Sequence, residues 1–341
     1  MSANDIVVTN SLIKSFKGCQ QATKYKHVER LGPKLNTAKP LTRGTWFHAM
    51  LEAYYLGQSV TDVHKQEIAK YSKLFDEEKE ALGDLPREMA RLFKGYRWHY
   101  RDDKSWTVHD AEIKLEAELP SGRQAQGKAD MIVEDDYGLW LVDHKTHKSL
   151  PRTEFRLLDP QSKLYIWMAR KCGIPVQGFI WNYVVPKAPE PLKFNQNGDL
   201  SKRQPTVMDY PTALRSAEEH DAMEDPGVKA ILDDLEHRRY DRDVVQTSPV
   251  FRRDTLEFSD TTIGRMIADI DMTAERYVAF RKRLEKDPEA PVERSISRGC
   301  DWCAYRTLCI AELNDADADG VRRREFIEHD PFAYYGDGDG K

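Results

Sequence analysis

Residues 125–146 read AQGKADMIVEDDYGLWLVDHKT, and this stretch decides the fold. Two runs rich in apolar residues, 125–134 and 138–145, flank the turn Asp135-Asp136-Tyr137, which is the pattern of a hairpin. A hairpin can bring Asp130 of one strand to the same end of the sheet as Asp143 and Lys145 of the next. Strand alternation puts Leu139, Leu141, Asp143 and Lys145 on one face, with Trp140, Val142 and His144 on the other. Two apolar residues followed by an acid and a lysine on one face are costly unless that edge is a site. Two close carboxylates repel and invite a hard divalent cation. An ammonium two residues on can position an attacking water and stabilise charge developing on phosphorus. A D-x-K triplet alone is far more often a surface salt bridge. Gly127-Lys128-Ala129-Asp130, thirteen residues before Asp143 on the neighbouring strand, makes accident much rarer.

Outward from the hairpin, 107–119 reads as a further strand, set off by the turn Pro120-Ser121-Gly122. A helix at about 157–172 and an apolar strand at 176–185 follow, so three strands, a helix and a strand form a mixed α/β core. The first hundred residues read as mainly helical. Asn10 or Ser11 caps a short helix towards Cys19, and 31–43 is a loop broken by Pro33 and Pro40. A helix from Gly44 carries Trp46, Phe47, Met50, Leu51 and Tyr54 at helical spacing. Amphipathic helix fills 61–101, interrupted near Gly83 and Pro86. Beyond the core lie an exposed loop at 186–205, a strand near 207–211, and helices at 212–238 and 259–286. There is no repeat and no GxxxxGK[ST] loop, so the sequence shows no recognisable motor.

The 341 residues are 40% hydrophobic and 32% charged, as in ordinary globular proteins. No apolar run approaches the ~20 residues of a membrane span, and the N-terminus has no secretory pattern. Five cysteines are too few for a disulfide scaffold, so a reducing cytoplasm is expected and clustered cysteines are metal ligands first. The net charge of −5 is unevenly spread. Residues 312–341 hold nine acids and four bases, whereas 14–43 hold eight Lys/Arg against Glu29 alone. Lys24, Lys26 and Arg30 are candidate phosphate contacts, with a merely solvated charge run the even alternative. The acidic tail, with Phe332, Tyr334 and Tyr335, reads as flexible unless those aromatics dock.

With these elements in order, the sequence resembles the PD-(D/E)XK nuclease superfamily, in its RecB-like branch. Gly44-Thr45-Trp46-Phe47-His48, with Leu51 and Glu52 following, is similar to that branch's helical histidine motif. Gln161 and Tyr165 are similar to its QxxxY motif and share one helix face. The resemblance implies a restriction-endonuclease-like mixed sheet flanked by helices. It implies Mg²⁺ or Mn²⁺ held by His48, Asp130, Asp143 and the His144 backbone carbonyl, and Lys145 orienting the attacking water. Gln161 and Tyr165 would lie against the DNA strand. Glu112 matches an accessory acid of several relatives, with Glu116 and Glu118 as competitors.

Cys300-x2-Cys303-x5-Cys309 is a compact chelating set, and Cys19 completes a tetrathiolate if the chain ends meet. Spacing leaves zinc and an iron–sulfur cluster both open. The flanks 11–19 and 300–309 resemble the iron–sulfur RecB-like nucleases, which include the AddB nuclease domain and CRISPR-associated exonucleases. That resemblance implies a structural [4Fe–4S] cluster stapling the two ends, although Gln20 stands where many relatives have proline. Cys172 is expected to be a buried, inert thiol. Residues 1–311 are thus expected to form one nuclease domain, with a helical insertion at about 57–104 and a tail from 312. The expected activity is metal-dependent exonucleolytic hydrolysis of single-stranded DNA ends, in recombination, repair or phage DNA processing, beside a separate helicase or recombinase partner. The alternatives are a non-catalytic DNA-end-binding subunit and a structure-specific endonuclease.

Overall fold

The structure, a computed structural model, describes residues 6–35, 37–101, 103–238 and 248–332. Helix α1 (Asn10–Gly18) is capped by Thr9, whose hydroxyl accepts the Leu12 amide at 3.1 Å; Asn10 and Ser11 lie inside the helix. Helix α2 (Gln20–Thr23) runs into a π-helical turn, Lys24–Val28, and then strand β1 (Leu31–Pro33). Helix α3 (Lys39–Tyr55) begins before Gly44, because Pro40 occupies its first turn, where a missing N–H costs nothing. Helices α4 (Val60–Ser72), α5 (Asp76–Leu82) and α6 (Leu85–His99) follow, with a break at Gly83, whose φ is +63°.

Strands β2 (Thr107–Glu118), β3 (Gln124–Asp135) and β4 (Gly138–Thr146) form an antiparallel meander. Helices α7 (Thr153–Leu157) and α8 (Pro160–Lys171) then cross over to β5 (Gly178–Val184), which runs parallel to β4. Every residue of β5 is buried, as a strand covered on both faces must be. Gly178 is required there, since a Cβ would stand 2.2 Å from the Leu256 carbonyl oxygen.

Two expectations change in the next stretch. Residues 207–209 form no strand; Asp209 instead caps helix α9 (Tyr210–Glu219). The helix expected over 212–238 is broken, because Pro226 starts a new helix, α10 (Pro226–His237), with Asp225 as its cap. The fifth strand is β6 (Phe251–Glu257), antiparallel to β5, in a segment to which sequence periodicity assigns no element. Helix α11 (Asp260–Lys286), a 3-10 turn at Arg298–Trp302, α12 (Arg306–Leu313), α13 (Ala318–Glu325) and β7 (Phe326–Glu328) complete the chain.

The main sheet has the order β2-β3-β4-β5-β6. Helices α8 and α11 cover one face through Leu164, Ile166, Met168, Ile263, Ile267 and Ile270. Helices α3 and α6 pack on the other side around Trp46, Phe47, Leu92, Tyr96 and Phe251. The expectation of a free tail fails for its first part. Strand β7 pairs antiparallel with β1, the Lys34 amide donates to the Glu325 carbonyl at 2.9 Å, and Phe332 lies against His27 at 5.6 Å between rings. Exposed backbone edges of two short segments satisfy each other in this pairing. Tyr334 and Tyr335 lie outside the described residues. Among the described residues no helix is long and apolar enough to cross a membrane.

Candidate active site

The β3–β4 ladder runs from Asp135/Gly138 to Met131/Val142. Strand β4 then continues its parallel pairing with β5 as far as Thr146. A fork therefore opens between β3 and β4, and Asp130 and Asp143 stand in it. Where the ladder would continue, Asp130 Oδ2 accepts the His144 amide at 2.6 Å, so one carboxylate fixes the backbone of the strand that carries the other. Asp130 and Asp143 are 7% and 2% exposed.

Helix α8 delivers the next partners. Gln161 donates from Nε2 to Asp143 Oδ1 at 2.5 Å and accepts from Asn10 Nδ2 at 3.3 Å. Lys145 Nζ pairs with Asp143 Oδ2 at 2.5 Å, and His48 Nδ1 from α3 stands 3.5 Å from Asp130 Oδ2. Tyr165, one turn beyond Gln161, lies so close to β3 that a Cβ on Gly127 would meet its ring at 2.6 Å. The glycine of the GKAD stretch is what lets α8 approach the acids. These side chains line one open cleft of about 400 Å³, together with Ser11, Lys14 and Lys128.

Burial dominates the electrostatics of the fork and its neighbours divide the outcome. Burial and the charge of Asp130 push the Asp143 carboxyl up to about 6 against the pull of Lys145. Burial acts on Asp130 too, but His48, His144 and Lys145 outweigh it and hold that carboxyl below the usual range. Lys145 and His48 are likewise held above their ordinary values, because the carboxylates overcome burial. His144, facing the other side, is driven down to about 3 by burial and stays neutral.

Behind the fork runs a buried polar chain that sequence reading missed. Asn182 of β5, fully buried, bridges His144 Nδ1 and the Tyr96 hydroxyl, both at 2.8 Å. Tyr96 meets the Tyr55 hydroxyl at 2.6 Å, and Arg253 donates to Tyr55 at 3.0 Å while pairing with Asp103. The one available signal was a lone asparagine within the apolar run FIWNYV, since an unpartnered buried amide is costly. Asn10, Ser11, Lys14 and Lys128 were also not singled out. Lys128 pairs with Glu112, which sits in β2 with a left-handed φ of +57°. That strained backbone is where sites commonly store strain.

Lys24, Lys26 and Arg30 do not line the cleft. Lys24 donates to the Pro288 carbonyl at 2.8 Å, burial lowers the Lys26 ammonium, and Arg30 lines a small cavity with His27 and Arg281. The local charge surplus is thus engaged within the fold, in part where the chain ends meet (Lys24, Lys34) and in part on helices α6 and α11 (Lys39, Arg43, Lys17).

Where the chain ends meet, the four expected cysteines form no disulfide and are half-buried. Burial pushes the Cys303 thiol up, and the nearby thiols of Cys19, Cys300 and Cys309 push it further. Burial pulls the Arg294 guanidinium down, but Cys309, Tyr25 and Glu312 beside it hold it above its ordinary value. Glu312 gathers Tyr25 (2.5 Å), Gln21 (3.3 Å) and Arg294 (3.1 Å) around it, while Tyr305 donates to the Leu31 carbonyl at 2.8 Å. Cys172, expected to be buried, is exposed at the C-cap of α8 and its thiol donates to the Glu116 carbonyl at 3.2 Å. The apolar face of α8 turns away from it. Among the described residues no three His, Cys, Asp or Glu groups stand in finished metal-holding geometry. The donor sets themselves fit metals: two buried carboxylates beside an imidazole suit a hard dication, and four thiols suit zinc or iron–sulfur.

No curated protein matches the chain. Among solved structures, a candidate exonuclease from Eubacterium rectale is 14% identical over 88% of each chain, with a TM-score of 0.44. The protein SSO0001 is 13% identical over 73% of this chain and 81% of that one, with a TM-score of 0.27. Both likenesses are too distant to decide the family. The family model does so: that of the PD-(D/E)XK nuclease superfamily matches residues 8–310, a span that runs from just before α1 through β3 and β4 with their acids to just past Cys309. With the forked mixed sheet and its acid–acid–lysine edge already in place, the chain belongs to the PD-(D/E)XK nuclease superfamily.

Proposed function

We propose that the chain is a divalent-metal-dependent deoxyribonuclease of the RecB-like branch, acting exonucleolytically on single-stranded DNA ends. The observation that carries this reading is the β3–β4 fork, where Lys145 and Gln161 bind Asp143 and the His144 amide binds Asp130 around an open cleft. His48, Asp130, Asp143 and the His144 carbonyl would hold Mg²⁺ or Mn²⁺, which when bound supplies Lewis acidity and a more acidic water. Lys145, kept protonated by two carboxylates, orients the attacking water as a donor and stabilises charge on the phosphoryl oxygens. Gln161 holds Asp143 in its rotamer, and Tyr165 with Lys14 and Lys128 faces the strand. Attack in line on phosphorus breaks the P–O3′ bond and leaves a 5′-phosphate and a 3′-hydroxyl.

Cys19, Cys300, Cys303 and Cys309 hold a structural [4Fe–4S] cluster on this reading, with zinc as the alternative occupant. The processes that need such an end-degrading activity are recombination, repair or phage DNA processing, with strand separation left to a helicase or recombinase partner.

End-labelled linear and covalently circular single-stranded DNA, incubated with Mg²⁺ or Mn²⁺, test the activity. Linear DNA should be shortened from an end while circles persist. Cleavage of circles would make the protein an endonuclease, and binding of ends without cleavage would make it a scaffold. Asn182→Leu tests the support behind the fork. Loss of such an outer hydrogen bond should weaken Mn²⁺ binding by about 10- to 100-fold. A lower melting temperature in scanning calorimetry with unchanged Mn²⁺ affinity in titration calorimetry would make Asn182 merely structural.

A further inference from the structure

Between β4 and α8 the chain carries three large apolar side chains on its surface: Phe155, Leu157 and Leu158 are 65%, 48% and 72% exposed. Three such groups within four residues form an apolar patch that neither the fold nor the chemistry above uses. The patch adjoins the cleft. Arg156, in its middle, lies 4.9 Å over the Trp181 ring, the same ring that Lys145 Nζ faces at 5.5 Å. Asp159, the next residue after it, bonds Arg156 (3.1 Å) and Lys14 of the cleft wall (3.0 Å). It also caps the helix that presents Gln161. The patch thus adjoins the cleft through Asp159, which joins its end to Lys14 of the cleft wall and to the helix that presents Gln161.

Around the patch Lys14, Arg152 and Arg156 stand against Glu154 and Asp159, a surplus of one cation, since Asp159 pairs with both Lys14 and Arg156. Bare apolar side chains beside such a rim suit a strand whose bases are open. A duplex hides its base faces in the stack and offers such a patch only sugar and groove edges, whereas a single strand can lay each base on an apolar or aromatic surface. We propose that Phe155, Leu157 and Leu158 form a platform for the unstacked bases of single-stranded DNA next to the scissile phosphate. The site is thereby selective for single strands. The proposal rests on the nuclease reading of the cleft for where that phosphate sits, but base binding can be measured without cleavage.

The test is a Phe155→Ser/Leu158→Ser double variant of the full chain, with Ca²⁺ replacing Mg²⁺ in binding experiments. Both side chains are exposed, so the melting temperature should match wild type. Affinity for a fluorescent oligothymidylate should fall about tenfold or more, with blunt duplex affinity nearly unchanged. Hydrolysis of bis(p-nitrophenyl) phosphate, which has no bases, should be unaffected. Unaltered oligothymidylate affinity, or an equal loss on duplex, overturns the platform and leaves the patch to a protein partner. Patch-dependent binding by a wild-type protein that hydrolyses nothing would keep the platform and overturn the nuclease reading.

Discussion

Asp143→Ala and Lys145→Ala are each expected to slow cleavage of linear single-stranded DNA by at least about a hundredfold, while binding of that DNA stays close to wild type. The two variants should fail for different reasons. Asp143 accepts from both Gln161 and Lys145, so its loss releases the two groups it orients and, on the proposed reading, removes a metal ligand. Lys145→Ala keeps that carboxylate but removes the cation that opposes burial, so the Asp143 carboxyl, already pushed up to about 6, rises further and a proton competes with the metal for it. Lys145→Arg retains a charge but not the point-like donor, and should recover little. Binding survives because Lys14, Lys128 and the 155–158 surface lie on other elements. Circular dichroism controls for folding, and product release from labelled DNA gives the rate. Near-normal turnover by either alanine variant, in purified protein with Mg²⁺, would remove these residues from the chemistry.

What could be read from sequence was what is local. The β3–β4 hairpin declares itself because alternation and turn residues act within a few positions, and that alone puts Asp130 and Asp143 at one edge. The i, i+4 spacing of Gln161 and Tyr165 likewise survives into one helix face lining the cleft. Strand β6 could not be read, because FRRDTLE buries Arg253 and Asp254, and charged residues normally signal surface. Arg253 is tolerated only because Asp103 and Tyr55, from distant elements, satisfy it. The pairing of β1 with β7 and the contacts of Lys24 with Pro288 have the same character. A lysine-rich stretch cannot say which of its ammonium groups face the substrate and which serve the chain's other end; here the substrate side falls to Lys14 alone among the cleft-lining residues of that stretch. Pro40 misled in the opposite direction, since proline breaks a helix interior but fits its first turn.

Cys19→Ala is expected to remove the broad visible absorbance of anaerobically purified protein, and to lower its melting temperature more than any single surface change. Helix α1 ends at Gly18, so Cys19 anchors the helix whose other end brings Asn10 and Lys14 to the cleft. A cluster shared with Cys300, Cys303 and Cys309 closes nearly the whole chain into one loop, and bonds that form only in the folded state count fully towards folding. Without a metal, burial and then the charges of the neighbouring thiols oppose ionisation at this corner, as the raised Cys303 thiol shows. Loss of the cluster should not separate the ends outright. The β1–β7 pair and the bonds of Glu312 to Tyr25 and Arg294 hold them independently. The variant should therefore stay folded at low temperature but be clipped by protease within its N-terminal segment, with activity falling only as α1 loosens. Cys172→Ala, whose thiol merely donates to the Glu116 carbonyl on the exposed end of α8, should do neither. Elemental analysis decides the occupant. About four irons with matching sulfide per chain support the cluster, one zinc without iron keeps the staple and replaces the cluster, and four reduced thiols with no bound metal after anaerobic purification would sink both.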